Sequence, residues 1–388
     1  MHFPIARRAV GPQNVTARPA ARILCPARTG KMKSKDEAQN VADTQEDPPT
    51  ARPESSAEGA GVRADINLGH ACNNRCLFCM QGLSEAEQRQ WLPLEKWREE
   101  IDHYAGDFGL KSLGILGGEP TLYPWLTDAL DYAAGKGFND VTINTNGYRL
   151  ADPEFGRTLL RKGVNRVCIS IHSHIKEIED KLSGRDGSLE TKIAALKNLA
   201  RLKEEGEPAA SVSINAVLNR LNLRGLDAFI EFFMDLGVRD VRFNFIRPEG
   251  RAGLPESIRE LVPRFTEAVP HLVALARENE KKWRIKLSFG EIPYCIYPRS
   301  LFANPSFRAR YVGEYRDRRT HVSSFRNPGG DRKEDMGRQR FIWQNLKIDV
   351  LKRFASSCRE CAWADVCGGV WIRYLETYGE DEFHPAEP

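Results

Sequence analysis

The sequence predicts an α/β fold built around a parallel sheet, followed by a smaller, irregular, cysteine-rich region. Three observations carry that reading. Between Arg63 and about Pro248, short β-rich runs alternate with helical patterns, which is the signal of repeated βα units. Gly106, Gly135, Gly163 and Gly237 fall where helix C-terminal caps are expected. Beyond Pro248 the alternation breaks, and cysteines become dense again toward the end of the chain.

Taken in order, residues 1 to about 61 lack apolar periodicity and are rich in Arg, Ala, Pro and Ser, so a disordered basic, Pro-rich tail is expected. Its first 31 residues contain no Asp or Glu, as a transit peptide would, yet no Ser precedes Ser34. The favoured reading is a non-functional tail, with Met1 and Met32 both open as the working start. Strands are expected at Val62–Leu68, Ser112–Leu116, Asp140–Asn144, Arg166–Ile171, Ser211–Leu218 and Asp240–Ile246. Between them, apolar residues at three- and four-residue spacing predict helices near Leu94–Tyr104, Tyr123–Ala134, Pro153–Lys162, Leu189–Lys203 and Leu226–Leu236. A longer helix over 255–279, containing Pro263 and Pro270, and an extended Arg284–Phe289 are expected next. Residues 296–346, rich in Arg and aromatics with Gly329-Gly330, read as an irregular excursion with one short helix near Arg340–Asn345. The expected division is therefore 1–61, 62–250 and 251–388.

Composition narrows the function class. A chain of 388 residues can bury a sizeable core, and 41% hydrophobic with 28% charged residues is ordinary for a soluble globular protein. The net charge of +4, from 57 basic and 53 acidic side chains, is too near balance to argue for nucleic acid. No run approaches the roughly 18 apolar residues of a membrane span, and no signal-peptide core is visible, so a cytoplasmic protein is expected. Of nine cysteines, Cys25 lies in the polar tail and Cys168 inside a Val/Ile strand, where it reads as a small core residue. The other seven form two groups whose tight C-x2-C pairs favour metal over disulfides.

The first group, Cys72, Cys76 and Cys79, follows the first strand with C-x3-C-x2-C spacing. Three thiolates cannot fill a tetrahedral zinc site alone, but they suit a [4Fe-4S] cluster that leaves one iron open to an outside ligand. A zinc knuckle borrowing a ligand from elsewhere is the plainer alternative. The C-x3-C-x-aromatic-C pattern, with Phe78 in the aromatic place, resembles the radical SAM superfamily. That resemblance implies an open, partial, TIM-like (β/α)6 barrel. It also implies that the open iron holds S-adenosylmethionine, which one electron from the cluster cleaves to a 5'-deoxyadenosyl radical. A low-potential donor such as flavodoxin or ferredoxin would supply the electron.

In barrels of this type, function sits on the loops after the strands. After the second strand comes Gly117-Gly118-Glu119-Pro120-Thr121, where paired glycines permit close backbone approach and a carboxylate suits an ammonium. It matches the family's GGEP motif, which implies binding of the cofactor's methionyl amino group. An ordinary Gly-Pro turn is the alternative on the residues alone. Thr145 lies on the polar turn after the third strand. Alternation places Ser170, His172 and His174 on one face of the fourth strand end, and the resemblance implies a cofactor contact for Ser170. His172 remains open between general base, substrate contact and structural histidine. Ser213 and Asn215 on the fifth strand are candidate cofactor or substrate contacts, and Arg247 with Arg251 place two cations at the mouth.

The second group is Cys358-x2-Cys361-x5-Cys367, followed by Gly368-Gly369. It resembles the auxiliary-cluster domains called SPASM and twitch, although Trp371 stands where a fourth cysteine belongs. Cys295, isolated in Ile292-Pro293-Tyr294-Cys295, is the natural fourth ligand of a single auxiliary [4Fe-4S] cluster. A structural zinc site of four cysteines is the alternative, and Trp363 and Trp371 are expected to shield whichever group binds. The leading expectation is a radical SAM oxidoreductase or maturase acting on an unactivated C–H bond of a small molecule or peptide. A non-catalytic zinc module or iron-sulfur electron carrier is the alternative.

Overall fold

The computed structural model describes residues 62–80, 89–312, 320–324, 339–364 and 366–385. The expected tail, Gly329-Gly330 and residues 313–319 and 325–338 of the expected 296–346 excursion lie outside the described residues.

Each expected strand forms. The parallel strands are β1 (Arg63–Asn67), β2 (Ser112–Leu116), β3 (Asp140–Thr145), β4 (Val164–Ser170), β5 (Ser211–Leu218) and β6 (Asp240–Phe245). The helices between them are α1 (Leu94–Gly106), α2 (Leu126–Gly135), α3 (Pro153–Arg161), α4 (Lys176–Ser183), α5 (Ser188–Glu204) and α6 (Leu226–Asp235). The short α4 was not foreseen. It carries three acidic and two basic side chains in eight residues, which hides its periodicity.

The parallel sheet does not stop at six strands. The segment read as extended is β7 (Lys286–Gly290), paired in parallel with β6. Between β6 and β7 the expected single helix is two, α7 (Pro255–Leu261) and α8 (Phe265–Glu278). Pro263 sits in the break, where it cannot donate an N–H and disfavours helical backbone before it. Pro270 is carried inside α8. After α9 (Arg299–Phe302) and α10 (Pro305–Tyr311), β8 (Thr320–Ser324) pairs in parallel with β1, and β9 (Gln339–Ile342) pairs antiparallel with β8. The expected helix at Arg340–Asn345 thus begins as a strand and becomes helical only in α11 (Trp343–Leu346). Among the described residues the main sheet has nine strands in the open order β7-β6-β5-β4-β3-β2-β1-β8-β9. The chain then forms a small antiparallel pair, β10 (Lys352–Arg353) with β11 (Val370–Trp371), and ends in α12 (Ile372–Tyr378). No described helix is long and apolar enough to cross a membrane.

The two faces of the sheet differ in chemistry because side chains alternate. One face carries Ala64, Ile66, Leu113, Ile115, Val141, Ile143, Val167, Ile169, Ile214, Ala216, Val241, Phe243, Leu287 and Phe289, all buried in the main apolar core with helix residues such as Trp97 and Phe229. Each such large side chain contributes roughly 1.5–3 kcal/mol through burial. The other face is polar. Arg63 pairs with Asp65, while Asp140 accepts from Ser112 at 2.8 Å and from Arg166 at 2.6 Å. Parallel pairing brings every strand's C-terminal end to one edge, and all the loops singled out above leave from that edge.

Candidate metal centre

The cysteine loop is braced from three sides by backbone hydrogen bonds. Gly118 N–H donates to Gly69 O at 2.9 Å and Glu119 N–H to Ala71 O at 2.7 Å, which zips the loop to the turn after β2. Arg75 and Leu77 N–H donate to Ser183 O and Leu182 O, both at 3.0 Å, at the end of α4. Arg251 N–H donates to Cys79 O at 2.9 Å, and its guanidinium reaches Cys76 O at 3.3 Å. Two glycines permit these approaches: a methyl on Gly118 would collide with the carbonyls of Ala71 and His70, and one on Gly184 with that of Arg75. Gly118 thus serves contact between two protein loops.

Within the loop, Asn74 donates its N–H to Cys72 Sγ at 3.4 Å, and its side-chain amide reaches Cys76 Sγ at 3.8 Å. Burial pushes the Cys72 thiol up to about 12; Glu119, Cys76 and Cys79 push the same way, against the Asn74 N–H. Burial and then Cys79 push Cys76 up to about 11. Negative charge on Cys72 and Cys76 is therefore poorly solvated, an environment that a cationic centre relieves.

Glu119 is buried, and its carboxylate faces protein donors. Oε1 accepts from Thr121 N at 3.1 Å, Thr121 Oγ1 at 2.6 Å and Thr145 Oγ1 at 2.6 Å, and Oε2 accepts from Asn146 N at 2.6 Å. Burial nonetheless leaves its pKa raised. Glu119 and Thr145 join the turns after β2 and β3, and Pro120 opens a short 3-10 turn beside them. Asn146 extends this bracing by donating its amide to Asn73 Oδ1 at 2.6 Å.

His172 is buried. Its Nδ1 accepts Val217 N–H at 3.1 Å, its carbonyl accepts from Asn222 at 2.7 Å, and its ring meets Phe78 edge-on at 4.7 Å. Burial pushes its pKa down to about 4. A neutral imidazole with Nδ1 already occupied acts as a tie between β4, β5 and the cysteine loop, so of the three open roles the structural one fits. Ser170 stands level with Asn215, whose Oδ1 accepts from Asn244 Nδ2 at 2.6 Å. Ser213 lies one layer deeper, level with Cys168, and hydrogen-bonds to that thiol. Cys168 belongs to the polar face of the sheet and not, as expected, to its apolar core. Arg247 donates to Glu291 at 2.7 Å and stacks over Trp343 and Trp371 at 4.8 and 5.5 Å, while Arg251 holds the cysteine loop.

Cys295, Cys358, Cys361 and Cys367 line one cavity, together with Trp363, Gly369 and Phe383. Burial pushes Cys295 up to about 12, followed by Cys367 and opposed by the His384 N–H, with Cys358 and Cys361 adding. Trp363 walls the cavity, but Trp371 does not; it is buried beneath Arg247 and Lys352. Among the described residues, no three Cys, His, Asp or Glu side chains stand in the geometry of a single metal ion. The sequence reading missed Asn73, Asn74, Glu179 and Lys192. The Asn-Asn pair inside the C-x3-C spacing was the available signal for the first two.

Residues 66–233 match the family model described as the Radical SAM superfamily. That segment is similar to a radical SAM domain. It is similar to a Probable GTP 3',8-cyclase of Saccharolobus solfataricus, 29% identical over 249 residues, covering 63% of this chain and 76% of the relative. It is also similar to the Fe-coproporphyrin III synthase of Methanosarcina barkeri, 25% identical over 346 residues, covering 81% and 84%. Among solved structures, Streptococcus suis SuiB bound to S-adenosylmethionine superposes with a TM-score of 0.55 at 17% identity, covering 84% of this chain and 76% of that one. That likeness speaks for the radical SAM fold.

Proposed function

We propose that this protein is a radical SAM enzyme with two [4Fe-4S] clusters. Cys72, Cys76 and Cys79 would hold the first, and Cys295, Cys358, Cys361 and Cys367 an auxiliary one in a SPASM- or twitch-like region. The observation that carries the reading is the braced loop that gathers three half-buried thiols beside the Gly117–Thr121 turn. When bound, the first cluster supplies one electron to cleave S-adenosylmethionine, and the resulting 5'-deoxyadenosyl radical abstracts hydrogen from a C–H bond of the substrate. With the Glu119 carboxylate turned to protein donors, its part is to fix the turn, which leaves backbone groups of Gly117 and Gly118 for the cofactor's ammonium. Ser170 and Asn215 sit at the polar edge where a ribose or carboxylate would lie. At the second site, four thiols line a volume instead of meeting at a point, which suits a cubane better than zinc.

A small molecule is the favoured substrate class. These two relatives are named for a nucleotide and an iron porphyrin, and the face of the sheet opposite the core carries polar side chains such as Ser170, Asn215 and Asn244. A low-potential flavodoxin or ferredoxin is the matching electron donor.

Anaerobic reconstitution tests the reading. Wild type is expected to bind about eight iron and eight sulfide per chain, and a Cys72→Ala/Cys76→Ala/Cys79→Ala variant about four of each. Wild type alone should form 5'-deoxyadenosine from S-adenosylmethionine and dithionite. A colourless protein without iron sinks the proposal and leaves the non-catalytic zinc module.

A further inference from the structure

Lys192 breaks the pattern of its own helix. On α5 it shares the buried face with Leu189, Ala195, Leu196 and Leu199, where packing alone would call for another apolar side chain. Its side chain is fully buried, and Nζ meets Glu179 Oε1 of α4 at 2.5 Å, with Glu179 equally buried. The other carboxylate oxygen accepts the N–H groups of His172 at 2.7 Å and Ser173 at 2.8 Å, at the end of β4. The last carbonyls of the same α4 receive Arg75 and Leu77, the residues on either side of Cys76. The pair therefore joins α5 and the end of β4 to the helix that holds the backbone on both sides of Cys76. Such a pair is a poor way to gain stability, because desolvating both charges offsets most of their attraction.

We propose that the buried Lys192–Glu179 pair is a positioning device for the first cluster, with Lys192 placing a fixed positive charge behind the α4 support of the cysteine loop that makes the cluster easier to reduce. Reduction moves one electron from a low-potential flavoprotein, ferredoxin or dithionite onto the cluster, with no bond made or broken. The cluster gains one negative charge, which a nearby ammonium stabilises in a medium of low dielectric. Glu179 anchors the ammonium and partly offsets it, so the two side chains act on the electron with opposite sign.

This inference rests on the cluster reading of Cys72, Cys76 and Cys79. The test is a redox titration of the reconstituted full-length chain, following the paramagnetic signal that changes when S-adenosylmethionine is added. In Lys192→Met, the ratio of reduced to oxidised cluster at the wild-type midpoint is expected to fall about tenfold, 59 mV for one electron. In Glu179→Gln it should rise. The double variant Lys192→Met/Glu179→Met, which removes both charges, should fold and show a smaller fall than Lys192→Met alone. Equal midpoints in wild type and all variants overturn the proposal. A double variant that fails to fold also overturns it, since the pair would then be a folding element. A wild type with no signal sensitive to S-adenosylmethionine refutes the cluster reading instead.

Discussion

The two cysteine sites are built on opposite plans. The first takes its three thiols from one run of eight residues, Cys72 to Cys79, and that run is held from outside by the β2 turn, the end of α4 and Arg251. The second draws one thiol from Cys295 and three from a stretch more than sixty residues later. That later stretch is braced by its own turns: Cys361 N–H donates to Cys358 O at 3.2 Å and Cys367 N–H to Trp363 O at 2.8 Å. The fold thus braces the first loop through its own hydrogen bonds, and on the proposed reading its three thiols would leave room for a ligand from outside. At the second, the four thiols line one cavity, and a group bound there would tie distant segments together. The first plan suits a site that exchanges a partner, and the second suits one that keeps its occupant.

The contrast is broken most directly at Cys295. Cys295→Ser should remove about four iron per chain while leaving cleavage of S-adenosylmethionine intact, read by iron assay and 5'-deoxyadenosine formation. Full iron in the variant would mean that the distant thiol is no ligand and that the second site is as local as the first.

A smaller effect sharpens the claim that the first site is organised by the fold. His172, held neutral between β4 and β5, has a folded pKa near 4 against an ordinary 6.5, with Glu179 and Lys192 beside it. A depressed folded pKa contributes stability that is present above the unfolded value and lost as pH falls through the folded one. Stability should therefore decline by about 3 kcal/mol between pH 6.5 and pH 4. His172→Gln should flatten that decline in denaturant titrations; an unchanged slope would leave His172 without this role. Smallest is Gly118→Ala, whose added methyl meets two backbone carbonyls and should cost about 1–3 kcal/mol. The loss of iron should fall on the first site alone, and an even loss from both would count against independent construction.

Much of this was legible in the sequence because strand alternation, helix spacing and cysteine spacing are local signals. The six strands and the first cysteine loop follow from them, and the long-range partnership of Cys295 follows from counting thiols. What was hidden depends on contacts across the fold. The role of Glu119 reads as ligand binding until four protein donors are found on its carboxylate. Gly118 reads as room for a ligand until the carbonyls of the neighbouring loop occupy that room. The extended Arg284–Phe289 forms β7, but its place in the sheet was hidden because the two helices before it break the βα rhythm. β8 and β9 carry no apolar alternation strong enough to announce them. Lys192 was invisible because a lysine on a helix ordinarily faces water.

The pairing of β8 with β1 has a consequence for how the chain is made. Roughly 250 residues separate these neighbours in the sheet, and at 5–20 residues per second a ribosome needs about 10–50 s to span them. Throughout that interval one side of the first strand emerges with its backbone groups unmatched, a surface that invites pairing with a stranger. The cysteine loop hangs from the end of that same strand. A cell that fills the first site during synthesis would be working on a sheet whose border is not yet sealed, and the seal follows only some 250 residues later.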